Sequence, residues 1–448
     1  MGVVAAPLKF LRGVQTRTRD FAVKALATGK NSDDEALRGN PVRTLLPALK
    51  GLLPARSGWG QFLLGIGMVW MMLGMVVMPA GISYNPSRVY QITLVVLLYL
   101  PTLGLVVFYR GAAWRELWPL PAFRVFLLLL AWATLSLCWA QLHRPGDEFG
   151  RVLSVLLFVL AWHICTGHDP RYANRLLLLV GAGFGACALA YSIPFLLETS
   201  PADDRIVAGE GVMATSNYAA AAMGAVCIWL MQLPQQRPAY ATIRWLAVCC
   251  LLLFIALTQT RSVWLGMAIC ALFAPLWYPG RWSKALAGLV LLAALAALLW
   301  PLPALLDRGT SYRPEIFQHA LALIYAHPWL GLGQGASFTI DVGGQHLTHS
   351  HNVLTQAAIE LGLPGLCITL AMWALVAWSG WRHRSQPLGR VVLALWVYAS
   401  VVLQFDLPQL LDSPRPGWLL IWLPFAIALG LEARAHGTRK RLSSGRLA

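Results

Sequence analysis

The chain has 448 residues, of which 58% are hydrophobic and only 12% are charged. A soluble protein carries about twice that share of charged residues, so the composition predicts an integral membrane protein. In a soluble chain the net charge of +16 would suggest a nucleic-acid partner. The twenty Trp residues, many at the edges of apolar runs, instead fit the aromatic belts of a multi-span protein. We therefore expect contact with membrane lipids and none with nucleic acid.

The two ends of the chain are polar and rich in Lys and Arg. Residues 1–58 lack the short apolar core that a signal peptide needs directly after its first charges. This pattern predicts an uncleaved cytoplasmic tail, and residues 432–448 are predicted to form a second one.

Twelve apolar runs lie between the tails, and each is about long enough to cross a bilayer core as a helix. They predict an all-α polytopic membrane protein with helices 1–9 in residues 59–302 and helices 10–12 in residues 352–431. The predicted helices are 59–80, 89–109, 122–141, 152–166, 175–197, 217–233, 243–259, 262–278, 284–302, 352–379, 391–405 and 417–431.

A long loop, residues 303–351, separates the ninth and tenth predicted helices. It contains a helix-like pattern around Ile316–Ala326, is rich in Gly and His, and also carries Trp and Arg. Loops of this length in compact proteins are usually functional or disordered. The composition favours an ordered, functional loop.

The distribution of Lys and Arg predicts the orientation of the spans. With the N-terminal tail inside, the inner loops and both tails hold nearly all of the basic excess, whereas the outer segments are slightly acidic. The net charge of +16 thus mostly reflects the orientation of the helices in the membrane. It predicts an even number of spans, both termini in the cytoplasm and the long loop outside.

Three histidines, His346, His349 and His351, lie in the text HLTHSH just before a helix predicted near Asn352. The spacing matches no strong zinc pattern and Asp341 is the one close acid, so we expect no metal site. The three histidines could also be solvent-exposed polar residues of a loop, without a chemical role. A third interpretation is a general base, because the positive end of a helix dipole disfavours imidazolium. His351 is nearest the helix, and two residues of separation keep His349 off the same helical face.

Two arginines stand at the outer boundary of the membrane. Arg261 lies in TQTRSVW between the seventh and eighth predicted helices, which meet in a tight turn, and Arg313 lies in SYRPE within the loop. Such arginines either snorkel to the interface or face a cavity or partner. The planar guanidinium suits phosphate or pyrophosphate. Arg205 and Asn217 are further ligand-facing candidates, although they could equally be loop structure and a helix cap.

Other motifs limit the chemistry. The text HPWLGLG, residues 327–333, contains glycines that permit close backbone approach. The outer segments contain no D-x-D pair to hold a divalent ion, and the chain has no GxxxxGK[ST] phosphate loop. We therefore expect no metal and no cofactor, so that a reaction outside the membrane must use an already activated donor. The eight cysteines lie in apolar stretches and are interpreted as buried apolar residues rather than disulfides or zinc ligands.

The ordered motifs TQTRSVW, SYRPE, HPWLGLGQGASF and HSHNVLTQAAIELGLPG resemble the O-antigen ligase family, a group that includes O-antigen polymerases and bacterial O-linked oligosaccharyltransferases. They extend over residues 261–365, and GEGVMATSNYAA is similar to a further family feature. The resemblance implies a GT-C-like glycosyltransferase architecture in the bacterial inner membrane, with a partly helical periplasmic loop and a periplasmic active site.

The resemblance also implies a reaction. It is a metal-independent, inverting transfer of polysaccharide from undecaprenyl pyrophosphate to the lipid A core oligosaccharide. His351 matches the family's base, and Arg261 and Arg313 match the arginines that hold the pyrophosphate. His349 is a second histidine beside the motif, and we group it with Arg205 and Asn217 as substrate-binding candidates. The alternatives are a polymerase or a protein O-oligosaccharyltransferase. A transporter is less favoured, because the ionisable residues cluster at the boundary rather than at bilayer mid-depth.

Overall fold

The computed structural model describes residues 59–77, 87–142, 144–197, 205–206, 213, 215–234, 237–299 and 312–443. The predicted N-terminal tail, the last five residues of the C-terminal tail and the start of the long loop lie outside the described residues.

Each of the twelve predicted apolar runs contains a helix. The helices are α1 Trp59–Val77, α2 Arg88–Leu94, α3 Leu100–Phe108, α4 Ala112–Leu117, α5 Pro121–Ser136, α6 Pro145–Thr166, α7 Pro170–Leu197, α8 Ser216–Gln232, α9 Pro238–Thr258, α10 Arg261–Phe273, α11 Arg281–Leu299, α12 Arg313–Ala326, α13 Val353–Arg382, α14 Pro387–Val402, α15 Pro416–Leu420 and α16 Trp422–Ser443. A π-helical turn, Val95–Tyr99, joins α2 to α3, and a 3₁₀ turn extends α10.

Within the described residues, seven helical segments are long and apolar enough to cross a membrane, and α5, α10 and α14 are shorter apolar helices. Many large apolar side chains point outward, as lipid-facing helices require. The fold is that of an all-α polytopic membrane protein, while the number of twelve crossings stays a prediction. One antiparallel hairpin, Ile340–Val342 with Gln345–Leu347, was not predicted, because strands of three residues leave almost no periodic signal.

The centre of the bundle is α8, in which nearly every residue is buried. Its small residues let neighbouring helices approach closely, which matters because lipid provides no hydrophobic driving force between helices. Tyr398 of α14 lies between α8 and α10 and donates a hydrogen bond from its hydroxyl to the carbonyl oxygen of Ala221 at 3.0 Å. A Cβ atom added to Gly224 would lie 2.1 Å from that hydroxyl.

Helix α13 is broken at Gly362, whose φ of 67° and ψ of −177° are not helical. The break frees carbonyl groups of the preceding turn, and the long loop satisfies them. The amide of Leu332 donates to the carbonyl of Ile359, and that of Gly333 to the carbonyl of Glu360, both at 2.8 Å. Irregular backbone at membrane depth requires such partners.

The glycines of HPWLGLG let the loop backbone lie directly on the broken helix, which confirms the expected close approach. Gly331 has φ +66°, and a Cβ atom there would lie 2.5 Å from the carbonyl oxygen of Glu360. The indole of Trp132 on α5 donates to the carbonyl of Leu361 at 2.8 Å. The loop, α5 and α13 therefore form one packed unit.

The eight cysteines are all free thiols, as predicted. The expectation that all of them are buried is wrong for Cys138, Cys249 and Cys367, which are exposed. An apolar stretch in a membrane helix includes an outward face, so hydropathy alone does not indicate which cysteines point inward.

We predict that Gly224→Val destabilises the protein by about 1–3 kcal/mol, because the buried, hydrogen-bonded Tyr398 ring cannot move without opening the contact between α8 and α14. Thermal unfolding of the purified protein in detergent measures the effect. Gly288→Val on α11 is the matched control, since a Cβ atom there meets nothing within 4 Å. An unchanged melting temperature for Gly224→Val would contradict the packing described.

Candidate active site

The described part of the long loop, residues 312–351, docks on α13. A small apolar cluster joins α12, the hairpin and α13 through Ile316, Ala320, Ile340, Val342 and Ile359. The docking fixes the first turn of α12 beside the first turn of α10. The two predicted arginines lie at these two positions.

Arg261 is the first residue of α10 and Arg313 the first residue of α12. The tight turn predicted before Arg261 is present, because Gln259 ends α9 with a φ of +51°. Both arginines face one cavity of about 580 Å³. The cavity is lined by Arg261, Ser262, Leu265, Arg313, Pro314, Phe317 and Phe405.

This cavity is electropositive for two independent reasons. Helix N-termini carry partial positive charge, and both α10 and α12 begin at the cavity wall. The second reason is the two guanidinium groups themselves. That of Arg313 lies 5.5 Å from the Phe405 ring centroid. Burial and the charge of Arg261 lower the pKa of Arg313, although Asp406 opposes this. Two cations held together at helix N-termini are stabilised by an anion, and guanidinium groups match phosphate oxygens well.

Asp406 is the buried acid of the site, with 6% of its surface exposed. One carboxylate oxygen lies 3.6 Å from Nδ1 of His351 and accepts a hydrogen bond from the amide of Leu407 at 2.9 Å. The other accepts from Nδ2 of Asn217 at 2.9 Å. Burial alone would raise the pKa of Asp406, but His351, Asn217 and the Leu407 amide outweigh it. The pKa is therefore below its ordinary value, and the carboxylate is ionised at neutral pH.

His351 lies just outside α13 and has φ +54°, the left-handed region. The helix begins as predicted, and Asn352 is its cap. The Asn352 side chain accepts from the amides of Leu354 and Thr355 at 2.8 and 3.1 Å and donates to Oε1 of Gln404 at 2.9 Å. These bonds fix the backbone that presents His351 to Asp406. The left-handed conformation is one that tertiary contacts must impose.

The rings of His349 and His351 are in edge-to-face contact, with centroids 4.0 Å apart. Neither residue is in the helix, so the helical-face argument that separated them does not apply. Burial and the neighbouring His351 lower the pKa of His349 to about 4. Its Nδ1 has no hydrogen-bond partner among the described residues. His346 is apart from this pair, exposed on the hairpin and bonded to Asp341.

The remaining predicted residues lie near the same site. Arg205 is half-buried, and the amide of the adjacent Ile206 donates to the carbonyl of Leu257 at 3.0 Å, at the end of the helix that precedes Arg261. Asn217 is not the cap of α8, because Thr215 holds that position and accepts from the amide of Tyr218. Asn217 instead contacts Asp406.

Sequence reasoning missed Asp406 as a site residue. It was one of many outer acids, and its partners His351 and Asn217 are distant along the chain. The available signal was weak: Asp406 is an isolated acid directly after the apolar run of α14.

An ionic network flanks the histidines. Asp412 pairs with Nε of Arg151 at 3.3 Å and with Arg415 at 2.9 Å, and Arg151 also pairs with Glu148. It connects the start of α6 to the start of α15. The charge of Arg415 also contributes to lowering the pKa of His349.

The fold and site therefore define a polytopic membrane protein with a cavity lined by two arginines beside a histidine–carboxylate pair. Residues 245–370 match the family model described as O-antigen ligase. The chain is also similar to an O-antigen ligase of Pseudomonas aeruginosa strain PAO1, with 27% identity over 356 residues, 77% of this chain and 86% of the relative. The chain is therefore similar to the O-antigen ligase family over residues 245–370 and to one O-antigen ligase over most of its length.

The matched range contains Arg261, Arg313, His349 and His351. Asn217 and Asp406 lie outside it and are brought to the site by α8 and by the segment after α14.

We predict that acid destabilises the protein partly through His349. Its pKa is about 4 when folded and about 6.5 when unfolded, so the folded state binds fewer protons between these values. The contribution of neutral His349 to the free energy of unfolding is complete above pH 6.5 and is lost as the pH falls toward 4. Melting temperatures from pH 7 to 4.5 should fall less steeply for His349→Gln than for the wild type. His346→Gln, in the same loop, is the control, and equal slopes for wild type and His349→Gln would contradict the assignment.

Proposed function

We propose that this protein is an O-antigen ligase that transfers polysaccharide from undecaprenyl pyrophosphate to the lipid A core oligosaccharide. The observation that carries the proposal is the shared position of the Arg261–Arg313 cavity and the His351–Asp406 pair. Phe405 lines the cavity, and the next residue, Asp406, contacts His351. A pyrophosphate leaving group and a general base would therefore act at adjacent points.

The donor's pyrophosphate would bind between Arg261 and Arg313. Both guanidinium groups and both helix N-termini stabilise the negative charge that grows as undecaprenyl pyrophosphate leaves. A divalent metal performs this task in other transferases. We therefore propose a reaction that needs neither metal nor cofactor.

His351 would act as the general base. A carboxylate beside Nδ1 favours the tautomer that carries its proton there, which leaves the Nε2 lone pair to accept a proton. His351 takes the proton of the acceptor hydroxyl as that oxygen attacks the anomeric carbon. The bond from this carbon to the pyrophosphate oxygen breaks on the opposite face, so the configuration inverts. Asp406 and Asn217 would hold the ring in place, and His349 and Arg205 would contact substrate.

The orientation is also part of the proposal. The excess of Lys and Arg supports an orientation in which both termini would lie in the cytoplasm and the long loop in the periplasm. Twelve crossings and a GT-C-like arrangement agree with this orientation. The site would then meet donor and acceptor, both lipid-anchored, at the outer boundary of the inner membrane.

We predict that Arg313→Ala and Arg261→Ala each lower the ligation rate on the order of 100- to 1000-fold without unfolding the protein, because each removes a charged donor to the leaving group. The rate is measured with purified protein, lipid-linked polysaccharide and core–lipid A. Arg144→Ala, with a side chain 83% exposed, is the control. Wild-type rates in both variants would exclude the pyrophosphate assignment, and loss of wild-type activity in EDTA while the protein stays folded would argue for a metal-dependent reaction.

We further predict that His351→Ala and Asp406→Asn lower ligation at least about 100-fold, the usual range for losing general-base catalysis. His319→Ala, exposed on α12 of the same loop, is the control. A deletion strain complemented with each variant provides the second readout. Core–lipid A without polysaccharide supports the ligase, a single repeat unit on the core indicates a polymerase, and intact lipopolysaccharide with unmodified glycoproteins indicates a protein transferase.

A further inference from the structure

A second cluster of ligand-type side chains lies at the opposite end of α6 from the candidate active site. Nε2 of His163, near the end of α6, is 2.9 Å from Oε2 of Glu116 on α4, and Nε2 of His168 is 3.3 Å from the same oxygen. The ligand atoms of all three residues lie within 4.8 Å of one another. Sequence analysis did not single them out, because His163 and Glu116 are 47 positions apart.

Two of the three separations are close to those of a tetrahedral metal site. Zinc binds imidazole nitrogen and carboxylate oxygen at about 2.0–2.2 Å, which separates any two ligands of a tetrahedron by about 3.3 Å. The two nitrogen-to-oxygen distances therefore already lie near those of a zinc site. Both histidines direct the same ring nitrogen, Nε2, toward the carboxylate.

Access to the site also favours a cation. His163 is buried, whereas the side chains of Glu116 and His168 are 42% and 68% exposed. An ion could thus enter from solvent, with three protein ligands and water as the fourth.

A second histidine–glutamate pair, His383 with Glu432, differs because an arginine also pairs with its carboxylate. His383 lies 3.2 Å from Glu432, but the guanidinium of Arg382 lies 3.5 Å from the same carboxylate. Arg382 thus already provides a positive charge to the Glu432 carboxylate. The ion-pair partners of Glu116 among the described residues are both histidines.

We propose that Glu116, His163 and His168 form a binding site for a divalent transition-metal ion of the zinc class. The ion joins α4 to the end of α6 and stabilises the bundle there. It takes no part in glycosyl transfer, because twelve residues of helix, about 18 Å, separate His163 from Arg151 in the network beside the active site.

The test uses the full-length, chelator-treated protein in detergent. Titration with Co²⁺ should produce the visible absorption of a tetrahedral site, and Zn²⁺ should displace it at one equivalent and raise the melting temperature. His168→Ala and Glu116→Gln should weaken Co²⁺ binding on the order of 10- to 100-fold or more. Because His168 is largely exposed, its variant is expected to fold even if a variant of the buried His163 does not.

His436→Ala, at an exposed histidine of α16, is the control and should bind Co²⁺ as the wild type does. Ligation by His168→Ala should equal that of the wild type at a temperature where both are folded. Absence of the absorption, or its persistence in both His168→Ala and Glu116→Gln, would overturn the metal site. Loss of ligation in a folded His168→Ala would overturn its separation from catalysis.

Discussion

The break of α13 at Gly362 is the constraint on which the arrangement of the site depends. A helix interrupted near the membrane leaves amide and carbonyl groups that lipid cannot satisfy. The segment around Leu332 supplies the missing partners, and the amide of Leu363 donates to the carbonyl of Pro328 in return. The loop is therefore fastened to the helix by backbone bonds. Because α12 is part of that loop, the same bonds fix Arg313 beside Arg261.

A buried charge organises the other half of the site. An ionised carboxylate with 6% exposure is stable only when polar partners surround it. Asp406 accepts hydrogen bonds from Asn217 of α8 and from its own turn, and His351, in the segment before α13, lies 3.6 Å away. The need to stabilise this charge therefore brings together α8, the turn after α14 and the segment before α13, which are remote in sequence. It also explains why His351 can hold a left-handed backbone conformation: Asn352 and Asp406 fix the residue from both sides.

The helices could be predicted from the sequence because lipid imposes a simple rule on apolar length, and each predicted run contains a helix. The arginines could be named as candidates because charges at a membrane boundary are costly, and the histidines because they cluster just before a predicted helix. Asp406 was not found, since its role depends on which distant residues approach it. The break at Gly362 and the dry environment of His349 are likewise products of tertiary packing, which periodicity does not encode.

The position of the two arginines has a consequence for catalysis under the proposed function. A cation at a helix N-terminus opposes the dipole, so Arg261 and Arg313 sit where their own charges are least favourable. A bound pyrophosphate removes that penalty, and removes more of it as the leaving group gains negative charge. The cavity is thus better matched to the departing group than to the intact donor. Interactions that strengthen in this way raise the rate, whereas those equal in both states only tighten binding.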